Sequence, residues 1–182
     1  ALLLAREVED KGAEATTLNN IGGIHNQLGD KQQALKYYKQ ALTIIRQINE
    51  DKRWEAGSLN NIGQIYDSLG EKQQALEYYN QALSISKEIE DKRGQAITLN
   101  NIAAVYSSLG EKRKALTYYE QVLPLLETLG YRREKAIALY NIGSIHLDLG
   151  DKQQALKLLN QALLLSREVE DKSAEAENLN GI

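Results

Sequence analysis

Between Ala56 and Leu69 the apolar residues fall at 56, 59, 62, 65, 66 and 69, mostly in steps of three and four, as one face of a helix requires. Gly70 follows Leu69 and suits the left-handed residue that ends a helix. Apolar positions resume at Ala75, Tyr79, Ala82, Ile85 and Ile89, again in steps of four and three. A charged turn, EDKR at 90–93, leads into the next pair. Nothing alternates with a period of two, so the pattern predicts an all-α chain without strands.

The same pattern returns along the whole chain. A leucine at 18, 59, 99, 139 and 179 opens LNNIG, LNNIG, LNNIA, LYNIG and LNGI, with spacings of 41, 40, 40 and 40. LGD or LGE keeps the same beat at 28–30, 69–71, 109–111 and 149–151. The single extra residue falls between Ile48 and Asp51, where an insertion belongs in a turn. Self-similarity at this period means a stacked array of helix pairs, each too small to bury its apolar face alone. The units read as the end of a preceding second helix at 1–11, and repeats at 12–51, 52–91, 92–131 and 132–171. The start of a fifth first helix follows at 172–182. Gly22, Gly63, Ala103 and Gly143 sit in the middle of the first helices. A mid-helix glycine costs about 1 kcal/mol against alanine, so small residues in register predict a close helix crossing.

These slots resemble the tetratricopeptide repeat. Its large apolar residue, Leu-Gly pair, Tyr, Ala, aromatic and Ala are met by Leu59, Ile62-Gly63, Tyr66, Ala75, Tyr79 and Ala82. Departures are Ala103 for Gly, His25 and His146 for Tyr, Leu159 for the aromatic and Val122 for Ala. The usual repeat has 34 residues; this one has 40, and the six extra residues follow Ala82. The longer form resembles the arrays of kinesin light chain, of Pins-type G-protein signalling adaptors and of many bacterial signalling proteins. The resemblance implies a right-handed superhelical solenoid of antiparallel helix pairs. Its first helices would line a concave groove that holds a peptide or a segment of a partner protein.

On the first helix of the second repeat, Asn60, Gln64 and Asp67 lie at i, i+4 and i+7, one stripe beside the apolar face. The matching stripes are Asn19, Gly23 and Asn26; Asn100, Ala104 and Ser107; and Tyr140, Ser144 and Leu147. The resemblance puts this stripe, and the second amides Asn20, Asn61, Asn101 and Asn141, on the groove. An amide both donates and accepts, so a column of them can pair with the backbone of an extended chain. The alternative is that one Asn of each pair bonds a neighbouring helix and sets the stacking.

Charge and composition narrow the partner. The net charge is −3 and the pI about 5.5, so no basic field is present to hold a phosphate backbone, and nucleic acid is not expected. The pairs Tyr37-Tyr38, Tyr78-Tyr79 and Tyr118-Tyr119 look like stacking platforms, but at helical spacing one ring of each faces the core. Chaperone-binding members of the resembled family clamp a terminal carboxylate with Lys and Arg on the stripe. Those slots here carry amides, small residues and acids at Asp67 and Asp148, which favours a neutral or mildly basic segment.

No apolar run approaches the roughly 18–20 residues that cross a bilayer, and no membrane partner is expected. ALLLAREVED turns charged after five residues, so it does not read as a signal peptide. A chain opening at Ala reads as a piece of something longer. The absence of cysteine removes disulfides and thiolate chemistry and fits a reducing, cytoplasmic compartment. His25 and His146 lie three repeats apart and form no HExxH pair, and LGDK lacks the phosphate-loop spacing. No enzymatic activity, cofactor or metal is expected.

Two singular residues interrupt the regularity. Trp54, the only Trp, reads either as a binding anchor or as cover for local packing. Pro124, the only Pro, is expected to bend the second helix of the third repeat. Two functions remain in view: a protein-interaction module, and a structural or self-assembling scaffold without a dedicated ligand. For the second, ALLLAREVEDK at 1–11 matches ALLLSREVEDK at 162–172 in all but one residue. Leu3, Leu4 and Val8, with Ala176, Leu179 and Ile182, would then support weak head-to-tail self-association.

Overall fold

The computed structural model describes residues 2–3, 10–48 and 51–168. Eight helices follow Asp10: α1 (Lys11–Gln27), α2 (Lys31–Ile48), α3 (Lys52–Ser68), α4 (Lys72–Glu88), α5 (Lys92–Ser108), α6 (Lys112–Leu129), α7 (Arg132–Asp148) and α8 (Lys152–Glu168). Among the described residues there is no strand. The inserted turn residues Asn49 and Glu50 lie outside the described residues, as do Leu4, Val8 and the stretch 169–182.

Short polar side chains start several of these helices. Asp10 Oδ1 accepts from the Ala13 amide at 2.9 Å and Asp51 Oδ1 from the Arg53 amide at 2.8 Å. The first helices end at the Leu-Gly pair, where Gly70 turns left-handed with φ +80°. There Gly70 N–H bonds Asp67 O and Glu71 N–H bonds Tyr66 O. The second helices end differently. Gly130 takes the left-handed position after α6, whereas after α4 that geometry falls on Glu90, at φ 54°.

Two compact units result, residues 1–94 and 95–182. In the first, α1 packs on α2 and α3 on α4, with α2 against α3 between them. Its core contains Tyr38, Leu42, Leu59, Ile62, Ile65 and Ala82. In the second, α7 packs on α8 and α6 on α7. Its core contains Ala103, Tyr119, Leu139, Ile142, Ile145 and Leu158. α6 runs through Pro124 without interruption; Pro124 is exposed, and its carbonyl accepts from Thr128 Oγ1 at 2.9 Å.

Candidate functional site

The recurring glycine of LNNIG is the seat of a ring. In α3, Leu59, Ile62 and Ile65 are fully buried, and Gly63 faces the buried Tyr79 of α4. A Cβ on Gly63 would lie 2.7 Å from the Tyr79 ring, and one on Gly22 would lie 2.8 Å from the Tyr38 ring. Gly143 meets Leu159 in the same way, at 3.0 Å. The close crossing expected from small residues in register is thus a ring or branched side chain pressed onto bare helix backbone.

Off that core face lie the amides. Asn19 is half-buried and donates through Nδ2 to Oγ of the fully buried Ser58 in α3, at 3.1 Å. Its Oδ1 is out of solvent with no hydrogen-bond partner. In the second unit, Asn141 is hydrogen-bonded to the Tyr119 hydroxyl. Burial pushes that phenol up to about 12, and the Asn141 bond works in the opposite direction. Asn19 and Asn141 therefore each bond a neighbouring helix. Asn60, Asn61, Asn100, Asn101, Ser107, Tyr140 and Ser144 are half-buried on their helices, while Asn20 and Gln64 are exposed.

The outer end of the stripe is held by the lysine of the LGDK or LGEK turn. Lys72 Nζ lies 2.6 Å from Asp67 Oδ1 and donates to Asp67 O at 3.3 Å. Lys31 makes the same two contacts with Asn26, at 2.5 and 3.2 Å. Asp148 is matched by Lys112, at 2.9 Å. Both carboxylates that sequence places beside the stripe thus face a cation.

In the first unit two clefts, of about 270 and 480 Å³, open on this face, and Asn19, Asn20 and Asn61 line both. Trp54, in the first turn of α3, borders the smaller one. In the second unit the stripe is more apolar, with Tyr140 half-buried and packed on the core and Leu147 exposed.

Sequence reasoning missed a second ladder. His25 stacks on Tyr37 at 5.3 Å between ring centres, Tyr66 on Tyr78 at 5.4 Å and Tyr106 on Tyr118 at 5.4 Å. Each stack joins the end of a first helix to the start of its second. The signal was available as an aromatic or His twelve residues before the first Tyr of each pair. Lys39 extends one stack by donating to Tyr66 Oη at 2.7 Å, and Lys114 lies 5.2 Å from the Tyr106 ring centre. Among the described residues no group of three His, Cys, Asp or Glu could hold a metal ion. None of the described helices is long and apolar enough to cross a membrane.

A family model described as "Tetratricopeptide repeat" matches residues 1–47, 13–88 and 94–168, and a second, "Tetratrico peptide repeat", matches 57–121. The chain belongs to the tetratricopeptide repeat family. As such an array it is a protein-interaction repeat module. No curated protein matches it.

Solved structures share the tetratricopeptide fold at low identity. Aspartyl phosphate phosphatase F from Bacillus subtilis is 16% identical with a TM-score of 0.90, over 93% of this chain and 44% of that one. A Rap protein complexed with competence and sporulation factor is 18% identical with a TM-score of 0.85, over 96% and 48%. TPR-like repeats assigned to a kinesin light chain of Podosopora anserina are 16% identical with a TM-score of 0.75, over 91% and 82%. The chain spans less than half the length of the first two.

Proposed function

We propose that this array binds an extended segment of a partner protein along the amide stripe of its first helices, as a cytoplasmic adaptor or signalling scaffold. The residues in contact would be Asn19, Asn20, Asn26, Asn60, Asn61, Gln64 and Asp67 on the first unit. On the second they would be Asn100, Asn101, Ser107, Tyr140, Asn141 and Ser144. One observation carries the reading: Asn19, Asn20 and Asn61 converge on open clefts beside the buried core face of their helices. A fold neighbour that holds competence and sporulation factor supports a binding role for such a surface. The partner segment is neutral or mildly basic, and the lysines on Asp67 and Asp148 favour the neutral end of that range.

A peptide array probed with the protein and with the Asn60→Ala/Asn100→Ala double variant tests this. Affinity should fall by about 0.5–1.5 kcal/mol for each neutral hydrogen bond lost to the partner. Normal binding together with easier unfolding would assign these amides to stacking instead.

A further inference from the structure

We infer that the joints between hairpins carry a polarity of charge that keeps a second copy of this chain from docking its hairpins out of register. The starting point is how nearly interchangeable the joints are. In the first unit Tyr38 and Leu42 of α2 share a core with Leu59 and Ile62 of α3. In the second, Tyr119 of α6 shares one with Leu139 and Ile142 of α7, and Leu123 packs against it. Slot for slot the ring, the leucines and the isoleucine are the same. Apolar burial has no direction, so it does little to stop α2 of one molecule from taking α7 of another. Misassembly of this kind is a characteristic failure of repeat proteins.

One pair of slots at each joint is not interchangeable. Eight residues after the core tyrosine stands Arg46 on α2 but Glu127 on α6. Four residues before the core leucine stands Glu55 on α3 but Lys135 on α7. Each joint closes its own pair. Arg46 Nε donates to Glu55 Oε1 at 2.7 Å, and Lys135 Nζ pairs with Glu127. The hydrogen bond from Lys135 holds the Glu127 carboxyl below the ordinary carboxylate range. The two joints therefore have opposite polarity. If α2 takes a second molecule's α7, Arg46 meets Lys135; if α6 takes its α3, Glu127 meets Glu55. Both wrong joints bring like charges together. An out-of-register exchange thus gives up two attractive contacts and gains two repulsive ones. At roughly twofold for each of these four changes, the ordinary worth of an exposed pair, the exchange is disfavoured roughly sixteenfold. Two joints of one polarity would serve stability equally well; the inversion matters only against a wrong partner. On α5 the first-helix slot holds the neutral Gln95, so the discrimination rests on α3 and α7.

The chain holds no cysteine, so cysteines introduced beside these slots report a wrong joint. Two full chains in the same charge background, one with Gln47→Cys and the other with Glu134→Cys, are refolded together from urea and treated with a short bismaleimide. The crosslinked dimer measures α2 of one copy against α7 of the other. Its yield is compared in four backgrounds: the native charges, Glu127→Arg/Lys135→Glu, Arg46→Glu/Glu55→Arg, and all four changes together. Each double variant keeps both native joints paired but gives them the same polarity, and should raise the yield at least tenfold. The quadruple variant makes the polarities opposite again and should return to the native yield. Double variants that crosslink no more than the native chain overturn the inference. So does a quadruple variant that crosslinks as freely as the doubles. Should one double variant fail to fold, the other poses the same question against the native chain.

Discussion

The two units place different residues at equivalent positions, and the differences separate what the fold requires from what it merely permits. Gly63 in the first unit corresponds to Ala103 in the second, and both sit against a buried tyrosine, Tyr79 and Tyr119 respectively. Glu90 corresponds to Gly130 at the left-handed turn. Trp54 and Gly57 correspond to Glu134 and Ile137. The first pair concerns volume and the second backbone geometry. The third concerns only the surface, where no packing rule forces the choice.

The largest expected effect is a loss of stability at high pH. Burial raises the pKa of Tyr119 to about 12 and raises that of Tyr79 as well. A phenol whose pKa rises on folding contributes its full stabilisation below the unfolded value, about pH 10. That contribution is lost as pH climbs through the folded value, at about 1.4 kcal/mol per pH unit for each phenol. Urea midpoints should therefore be level below pH 10 and fall steeply between pH 10 and 12. Tyr119→Phe should make the fall shallower by removing the share of that phenol, and an unchanged slope would refute the assignment.

Next in size is the crossing itself. Gly63→Val forces carbon into the Tyr79 ring and should cost roughly 1–3 kcal/mol in a denaturant titration. Gly57→Ala, six residues earlier in the same helix and facing open space, should instead stabilise by about 1 kcal/mol. Equal effects at the two sites would break the distinction between packed and open glycines. Smallest is the turn. Glu90→Gly should raise stability by about 1 kcal/mol, and Gly130→Glu should lower it by about as much, both read as melting-temperature shifts.

The helical architecture was legible because one pattern returns at five leucines, Leu18, Leu59, Leu99, Leu139 and Leu179, at spacings of 41, 40, 40 and 40. The close helix crossing at Gly63 was legible too, from small residues in register, but not that the Tyr79 ring fills it. The partners of the amides were not. Asn19 meets Ser58 across 39 residues, and which of two adjacent amides turns toward a neighbour depends on how far each helix is rotated in the stack. Helical periodicity fixes that rotation only to within a residue. The lysine clasp on Asp67 was missed for another reason. Five residues separate Asp67 and Lys72, a distance that a helical reading does not bring together but a left-handed glycine turn does.

The ring stacks carry one more consequence, for the order in which the chain folds. His25 meets Tyr37, Tyr66 meets Tyr78 and Tyr106 meets Tyr118 across twelve residues each. Closing a loop this short carries little entropic penalty, so each hairpin can gather its own aromatic clasp before any neighbour exists. A chain built this way has low contact order and several equivalent starting points, and it folds fast from whichever hairpin forms first. The fourth pair has Leu158 opposite His146 and so lacks the clasp. Its closure rests on the aliphatic packing of α7 on α8 alone.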